Sequence, residues 1–266
     1  MNYVLVSIGS TPQHLKYCIR QILAIDPNTP VYLITDQNVL IDGVNILRTE
    51  EFNLPDIGSY LRNNPDPLWY TSLLRIFYIN AFSLIKKETL IHFDNDVLIY
   101  YPSCTLKPYL QKQNYITPHK TTEYTFGFSV INNAEKFNTL TEKIYELVLN
   151  GENYVKGLIG ETHEMSLLGH CGKNLLTRLP VHPLLSRPFG DFIFDPSSYG
   201  QFIDGTPAGH LPGFTDETQY VGKAFKQYQP DIFYLYKKPH LNYGGGTYRI
   251  YNLHIHTKQL QKFLYE

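Results

Sequence analysis

The sequence predicts an α/β fold, a mixed sheet flanked by helices, in a single compact domain. Two observations carry that expectation. Short apolar runs of strand length alternate with stretches of helical periodicity through the first hundred residues, the order that builds a parallel sheet with helices on its faces. No internal repeat, low-complexity tract or like-charge block interrupts it. The 266 residues therefore read as one domain with two halves, 1–100 and 101–266.

The elements follow in order. Residues 3–8 are a short apolar run closed by Gly9-Ser10, the pattern of a buried parallel strand. Residues 12–25 carry Leu15, Ile19, Ile22 and Leu23 at helical spacing, with Thr11 as N-cap and Pro12 at the first helical position. Residues 30–35 form a second strand ending in Asp36, and 44–47 a third, shorter one. An amphipathic helix is expected over 69–87, with Leu73, Phe77, Ala81, Leu84 and Ile85 on its apolar side. Residues 89–93 form a strand that runs directly into Asp94-Asn95-Asp96. Strand, helix, strand in this order implies a nucleotide-binding half, with its ligand site at the carboxyl ends of the strands.

The second half is less regular. Residues 115–117 and 126–131 read as strands, and 134–149 and 161–171 as helices. From 180 to 212 the chain is rich in Pro, Gly and Asp, so functional loops are expected there. Gly244-Gly245-Gly246 breaks the chain, residues 248–256 form a final strand, and 258–264 a short closing helix.

Composition excludes some classes. Lys and Arg number 23 against 24 Asp and Glu, a net charge of -1, which is no basis for a sequence-independent grip on nucleic acid. The 22 Tyr and 15 Phe, against one Trp, offer faces for sugars and bases, but most are expected in the core. Cys18, Cys104 and Cys171 are odd in number and widely spaced, which points to a reducing compartment. The N-terminus lacks the basic flank and apolar core of a signal peptide. Residues 72–85, interrupted by Arg75 and Asn80, read as too short and polar to span a bilayer. A soluble, cytoplasmic protein is expected, with no transmembrane segment and no nucleic-acid partner.

Two patterns carry chemistry. The first is LIHFDNDVLIY, where Asp94 and Asp96 put hard oxygen ligands at the mouth of the sheet. Mg²⁺ or Mn²⁺ bridging a diphosphate needs such a pair, because the phosphates supply the remaining ligands. Two solvated turn aspartates are the plain alternative. The second pattern is YNLHIHTKQL. In a strand His254 and His256 project to one face, with Lys258 just beyond. An imidazole can complete a metal shell, and a second imidazole and an ammonium can hold phosphate. A structural histidine pair explains the local sequence about equally well.

Taken together, these segments resemble GT-A-fold glycosyltransferases. WYTSLLRIFYINAFSLIKKETLIHFDNDVLIY resembles their donor half, a helix bearing Arg75, a strand, then the Asp-x-Asp element. The terminal LHIHTK is similar to the His and Lys that close the metal-diphosphate site in several such families, and FDPSSYGQFIDGT to a segment of bacterial capsular-polysaccharide and large-virus glycosyltransferases. The resemblance implies a GT-A-type Rossmann-like sheet, a nucleotide diphosphate-sugar donor, UDP first among the bases, a divalent metal, and a glycan or glycoconjugate acceptor. It implies that Ser7, Ile8 and Gly9 line the nucleotide pocket, that Asp36 meets the base or simply caps a helix, and that Arg75 approaches the diphosphate. Asp94 would meet ribose or the metal, with Asn95 counted beside it among the nucleotide contacts. Asp96 and His254 would ligate the metal, and His256 and Lys258 would face phosphate.

An inverting transferase also needs a carboxylate to take the acceptor's proton. Asp195 is the first candidate, since it sits in the family-like FDPSSYGQ segment near Gln201. Glu164, at the start of a helix, is the second, and Asp191 and Glu161 are also eligible. Two rival readings stand beside this one. A haloacid dehalogenase-type phosphatase uses Asp-x-Asp after an apolar strand, and Gly190 through Asp195 fits its second motif. Against it, Leu98 replaces the expected Thr or Val and two strand-helix signals precede the motif. A non-enzymatic sugar-binding module would explain the aromatic content but not the carboxylate pair.

Overall fold

The computed structural model describes residues 1–64 and 66–265. Its main sheet has seven strands in the order β3-β2-β1-β4-β7-β6-β8. Strands β1 (Asn2–Ser7), β2 (Val31–Thr35), β3 (Val44–Arg48) and β4 (Leu90–Phe93) are parallel; β7 (Tyr124–Ile131) then pairs antiparallel with β4 and with β6 (Asn114–Pro118), and β8 (Leu176–Arg178) pairs parallel with β6. The α/β class and the mixed sheet are thus as the sequence predicts.

Both faces of this sheet are covered, which is why its parallel strands are continuously apolar. Along β1, Tyr3 and Leu5 join the core under α1 (Gln13–Ile25), while Val4 and Val6 join the one under α2 (Pro67–Lys86) and α3 (Ala134–Val148). Helix α1 begins one residue later than predicted. Pro12 occupies the N-cap position, and Thr11 makes no cap hydrogen bond.

Helix α2 is capped by Asp66, whose side chain accepts from the Leu68 N–H at 2.9 Å, and Lys87 ends it at φ 52°. Its buried band differs from the predicted stripe. Leu73 and Phe77 are buried, but Leu84 and Ile85 are 39% and 68% exposed, and Ser72, Asn80 and Ser83 lie inside. The helix packs on β1, α3 and α5 (Glu164–Cys171), so small polar residues sit in the inner band wherever they find partners. Asn80 donates to Asn138 at 2.8 Å and Ser83 to the Asn80 carbonyl at 2.8 Å. With 20 residues, α2 is also long and apolar enough to cross a membrane by composition, contrary to the expectation for residues 72–85, but here it forms part of the core.

The second half holds more structure than predicted. Helix α4 (Glu152–Ile159) precedes α5, and the stretch expected as loops contains β9 (Phe192–Ile193) and α6 (Ser198–Asp204). After α7 (Gly222–Gln227), β10 (Asp231–Leu235), β11 (Lys238–Tyr243) and β12 (Gly246–Ile250) join β9 in a four-stranded sheet. The single strand expected over 248–256 is two. It breaks at the fully buried Tyr251, and β13 (Asn252–His254) pairs instead with β5 (Val97–Ile99), the strand that follows the aspartate pair. The closing helix is a single turn at Leu260–Phe263.

Candidate active site

The β5–β13 register places the chemistry. His254 lies opposite Val97, and the Ile255 N–H donates to the Asp96 carbonyl at 2.9 Å. The two sequence patterns, 160 residues apart, therefore meet at the carboxyl end of β4. Asp94 through Val97 make a tight turn, closed by the Val97 N–H to the Asp94 carbonyl at 3.1 Å and anchored to β7 by the Asp94 N–H to the Gly127 carbonyl at 3.1 Å. Asn95 Nδ2 donates to Ser7 Oγ at 3.0 Å, and Ser7 Oγ to the Ser10 carbonyl at 2.9 Å, so the loop after β1 is tied to the same turn. A cleft of about 500 Å³ opens here.

Charge is layered across the cleft floor. Asp94 forms an ion pair with Arg75 of α2, whose Nη2 lies 3.6 Å from Glu164 at the start of α5. Asp96 carries His254 Nε2 at 3.1 Å and pairs with the Lys258 ammonium. His256 stacks on His254, ring centroids 4.3 Å apart and 13° from parallel, so the shared face expected of the two imidazoles is found. Gly127 leaves room for them. A Cβ there would stand 3.0 Å from His254 Nδ1.

These surroundings fix the protonation states. Burial pushes the Asp96 carboxyl up, but His254, Lys258 and His256 together hold it well below the usual carboxylate range. Burial and the neighbouring His254 push His256 down to about 3, so at neutral pH it is a neutral ring, with Gln201 Nε2 3.4 Å from its Nε2. Burial lowers Arg75 and raises Glu164, and each ion of this pair partly offsets the other's shift.

The donor set suits a divalent cation. Ligand atoms of Asp96, His254 and His256 all lie within 4.8 Å of one another, and Asp94 Oδ2 is 3.9 Å from His254 Nε2. A carboxylate with two imidazoles offers the mixed oxygen and nitrogen donors of a first-row divalent metal site.

Of the residues predicted for the site, Ser7, Ile8, Arg75, Asp94, Asn95, Asp96, Glu164, His254, His256 and Lys258 line one cleft. The others do not. Gly9, at φ 81°, donates its N–H to both oxygens of Asp36 at 2.9 and 3.0 Å; Asp36 thus pins the loop after β1 and caps no helix. Asp195 is buried behind His254. Its carboxylate accepts from the N–H groups of Tyr199 (2.8 Å), Gly200 (3.0 Å) and His254 (2.9 Å). Asp191 pairs with Arg249 at the half-exposed edge of the second sheet. Of the candidate bases, Glu164 alone lines the cleft.

Trp69, His14, His119 and Gln201 also line the cleft and were not assigned there by sequence. One signal existed for the α2 contribution. Leu68, Ser72 and Arg75, spaced i, i+4 and i+7, all face the cleft.

No family model matches the chain, and no curated protein matches its sequence. Solved structures do. The chain is similar to an active-site mutant of LgtC, at 10% identity over 96% of this chain and 87% of that one, TM-score 0.49. It is also similar to mouse xyloside xylosyltransferase 1 in its apo form, at 10% identity over 67% and 84%, TM-score 0.47. A third is the glycosyltransferase GlyE of Streptococcus pneumoniae TIGR4, at 14% identity over 67% of this chain, TM-score 0.45. The chain spans 44% of the GlyE structure. What the cleft can do is read from its own residues.

Proposed function

We propose that the protein is a metal-dependent glycosyltransferase of the GT-A type, moving a sugar from a nucleotide diphosphate, UDP first among the bases, to a sugar hydroxyl. The observation that supports this most is the convergence of Asp94 and Asp96 from β4 with His254, His256 and Lys258 from the chain's end, in one cleft with Arg75. A carboxylate pair closed by imidazoles and cations suits a ligand that is a metal-bound anion.

Asp96, His254 and His256 would hold the cation, which when bound neutralises charge on the departing diphosphate. Lys258 and Arg75 supply fixed positive charge on either side of that position, and Ser7 and Asn95 hold the loop after β1 against it. Glu164 is the carboxylate available to accept the acceptor's proton. Its burial makes it a stronger base than an ordinary glutamate, and the neighbouring Arg75 offsets part of that rise. A phosphatase of the haloacid dehalogenase type would need Asp191 or Asp195 beside Asp94, whereas neither lines the cleft. Three free cysteines agree with a cytoplasmic location.

Calorimetric titration with UDP, GDP and dTDP, each with and without Mn²⁺, tests this reading. Metal-dependent binding of one nucleotide supports it. No binding to any, together with phosphate release from simple phosphomonoesters, would overturn it.

A further inference from the structure

The cleft has two flanks, because the strand order β2-β1-β4-β7 puts the aspartate turn between β1 and β7. Ser7, Ile8 and Pro12 stand on the β1 flank. The β7 flank is different in character. There His119, Thr125 and Met165 line the wall, and α5 packs on β7. Trp69 faces the cleft from the first turns of α2, six residues before Arg75, a separation of about 9 Å along the helix. Its ring lies against His163, the residue that caps α5, with centroids 5.1 Å apart and planes 30° from parallel. His163 is in turn within 3.4 Å of Ser166 Oγ. The indole is thus braced from behind and presents a face to the cleft.

Two other residues that line the same cleft carry polar atoms without partners of their own. His119 Nδ1 and Glu164 Oε2 are buried and make no hydrogen bond. Glu164 is itself 5% exposed and lines the cleft. A braced aromatic face in one cleft with buried, unsatisfied acceptors suits a pyranose ring, which offers an apolar C–H face and a rim of hydroxyl donors.

We infer that Trp69, braced by His163, is the platform for the acceptor, and that the acceptor is a hexopyranoside seated on the β7 flank with its hydroxyls toward His119 and Glu164. This rests on the transferase reading for its direction of transfer, but the platform itself can be tested apart from it. Trp69 is the only tryptophan in the chain, so intrinsic tryptophan emission reports this position alone.

The experiment titrates the protein with methyl glycosides of glucose, galactose, mannose and N-acetylglucosamine, with and without saturating UDP and Mn²⁺. Tryptophan emission is followed together with saturation transfer to the ligand's ring protons. At least one glycoside should change Trp69 emission saturably when UDP is present. Trp69→Ala should weaken that glycoside by about tenfold while UDP affinity stays within twofold, and Trp69→Phe should restore part of the loss. If UDP alone produces the whole emission change, Trp69 is a base platform and the inference fails. It fails equally if UDP binds and no glycoside is seen by either probe. Glycoside binding at Trp69 in a protein that takes no nucleotide would support the platform and sink the transferase reading.

Discussion

Asp96 and Asp195 show how little a carboxylate's sequence surroundings say about its work. Both are buried, at 4% and 2% exposure, and both sit next to His254. Asp96 turns its oxygens to His254 and to the mobile end of Lys258, side chains that a ligand can rearrange. Asp195 gives its oxygens to three main-chain N–H groups that nothing can rearrange without unfolding β13 and α6. The two substitutions should therefore separate. Asp96→Ala leaves His254 and Lys258 without their partner, so it should lower the urea midpoint and weaken Mn²⁺-dependent UDP binding by about 100-fold. Asp195→Ala strands three buried donors and should cost at least about 3 kcal/mol of stability. Were Asp195→Ala stable and selectively inactive, Asp195 would return as a candidate base. The Asp-x-Asp pair was legible because its position after an apolar strand is local information. Asp195 was not, since one of its three donors comes from residue 254.

Among the elements, β13 matters most to the site, and its position depends on an absent side chain. Gly200 of α6 faces the His254 carbonyl, where a Cβ would come within 1.9 Å. Helix α6 can press on β13 only because that position is a glycine, and β13 sets where His254 and His256 stand. Gly200→Ala should lower stability by about 1–3 kcal/mol through overpacking and also weaken Mn²⁺-dependent nucleotide binding. Chemical unfolding and calorimetry on one preparation would read both. Loss of stability with intact binding would show that α6 moves away and leaves β13 in place. The first four strands of the main sheet, with α1 and α2, were legible because apolar runs alternate with helical spacing. The hairpin of β10 and β11 was not. Its turn is made by Tyr236 and Lys237 at φ 50° and 59°, where a glycine or asparagine is the readable signal. The break at Tyr251 was hidden for another reason. Its N–H bonds Ile193 in one sheet and its carbonyl accepts from Tyr100 beside the other, so no Gly or Pro marks the switch.

At the scale of the whole molecule, histidines with lowered pKa values outnumber aspartates and glutamates with raised ones among the described residues, and this sets a pH dependence. Burial pushes His92 well below the usual imidazole range, helped by Arg75, and lowers His182 to about 4 and His256 to about 3. His14, His119 and His163 shift the same way, again chiefly through burial. Each such ring is neutral in the native protein and takes up a proton on unfolding. The stability it contributes is complete above its unfolded value of 6.5 and is lost as the pH falls toward its native one. A strongly shifted ring such as His92 accounts for up to about 1.4 kcal/mol per pH unit in that window. Burial acts oppositely on the acids. Asp195 is raised to about 6 and Glu164 is also raised, so they hold protons more tightly in the native state and add stability as the pH falls through that range. Between 6.5 and 6 the histidines act almost alone, and below 6 two carboxylates offset only part of six rings. Urea midpoints measured at pH 7.5, 6.5 and 5.5 should therefore fall in that order. A midpoint that rises on acidification would mean that water reaches these rings in the native protein, and the neutral His256 that the proposed metal site requires would lose its physical basis.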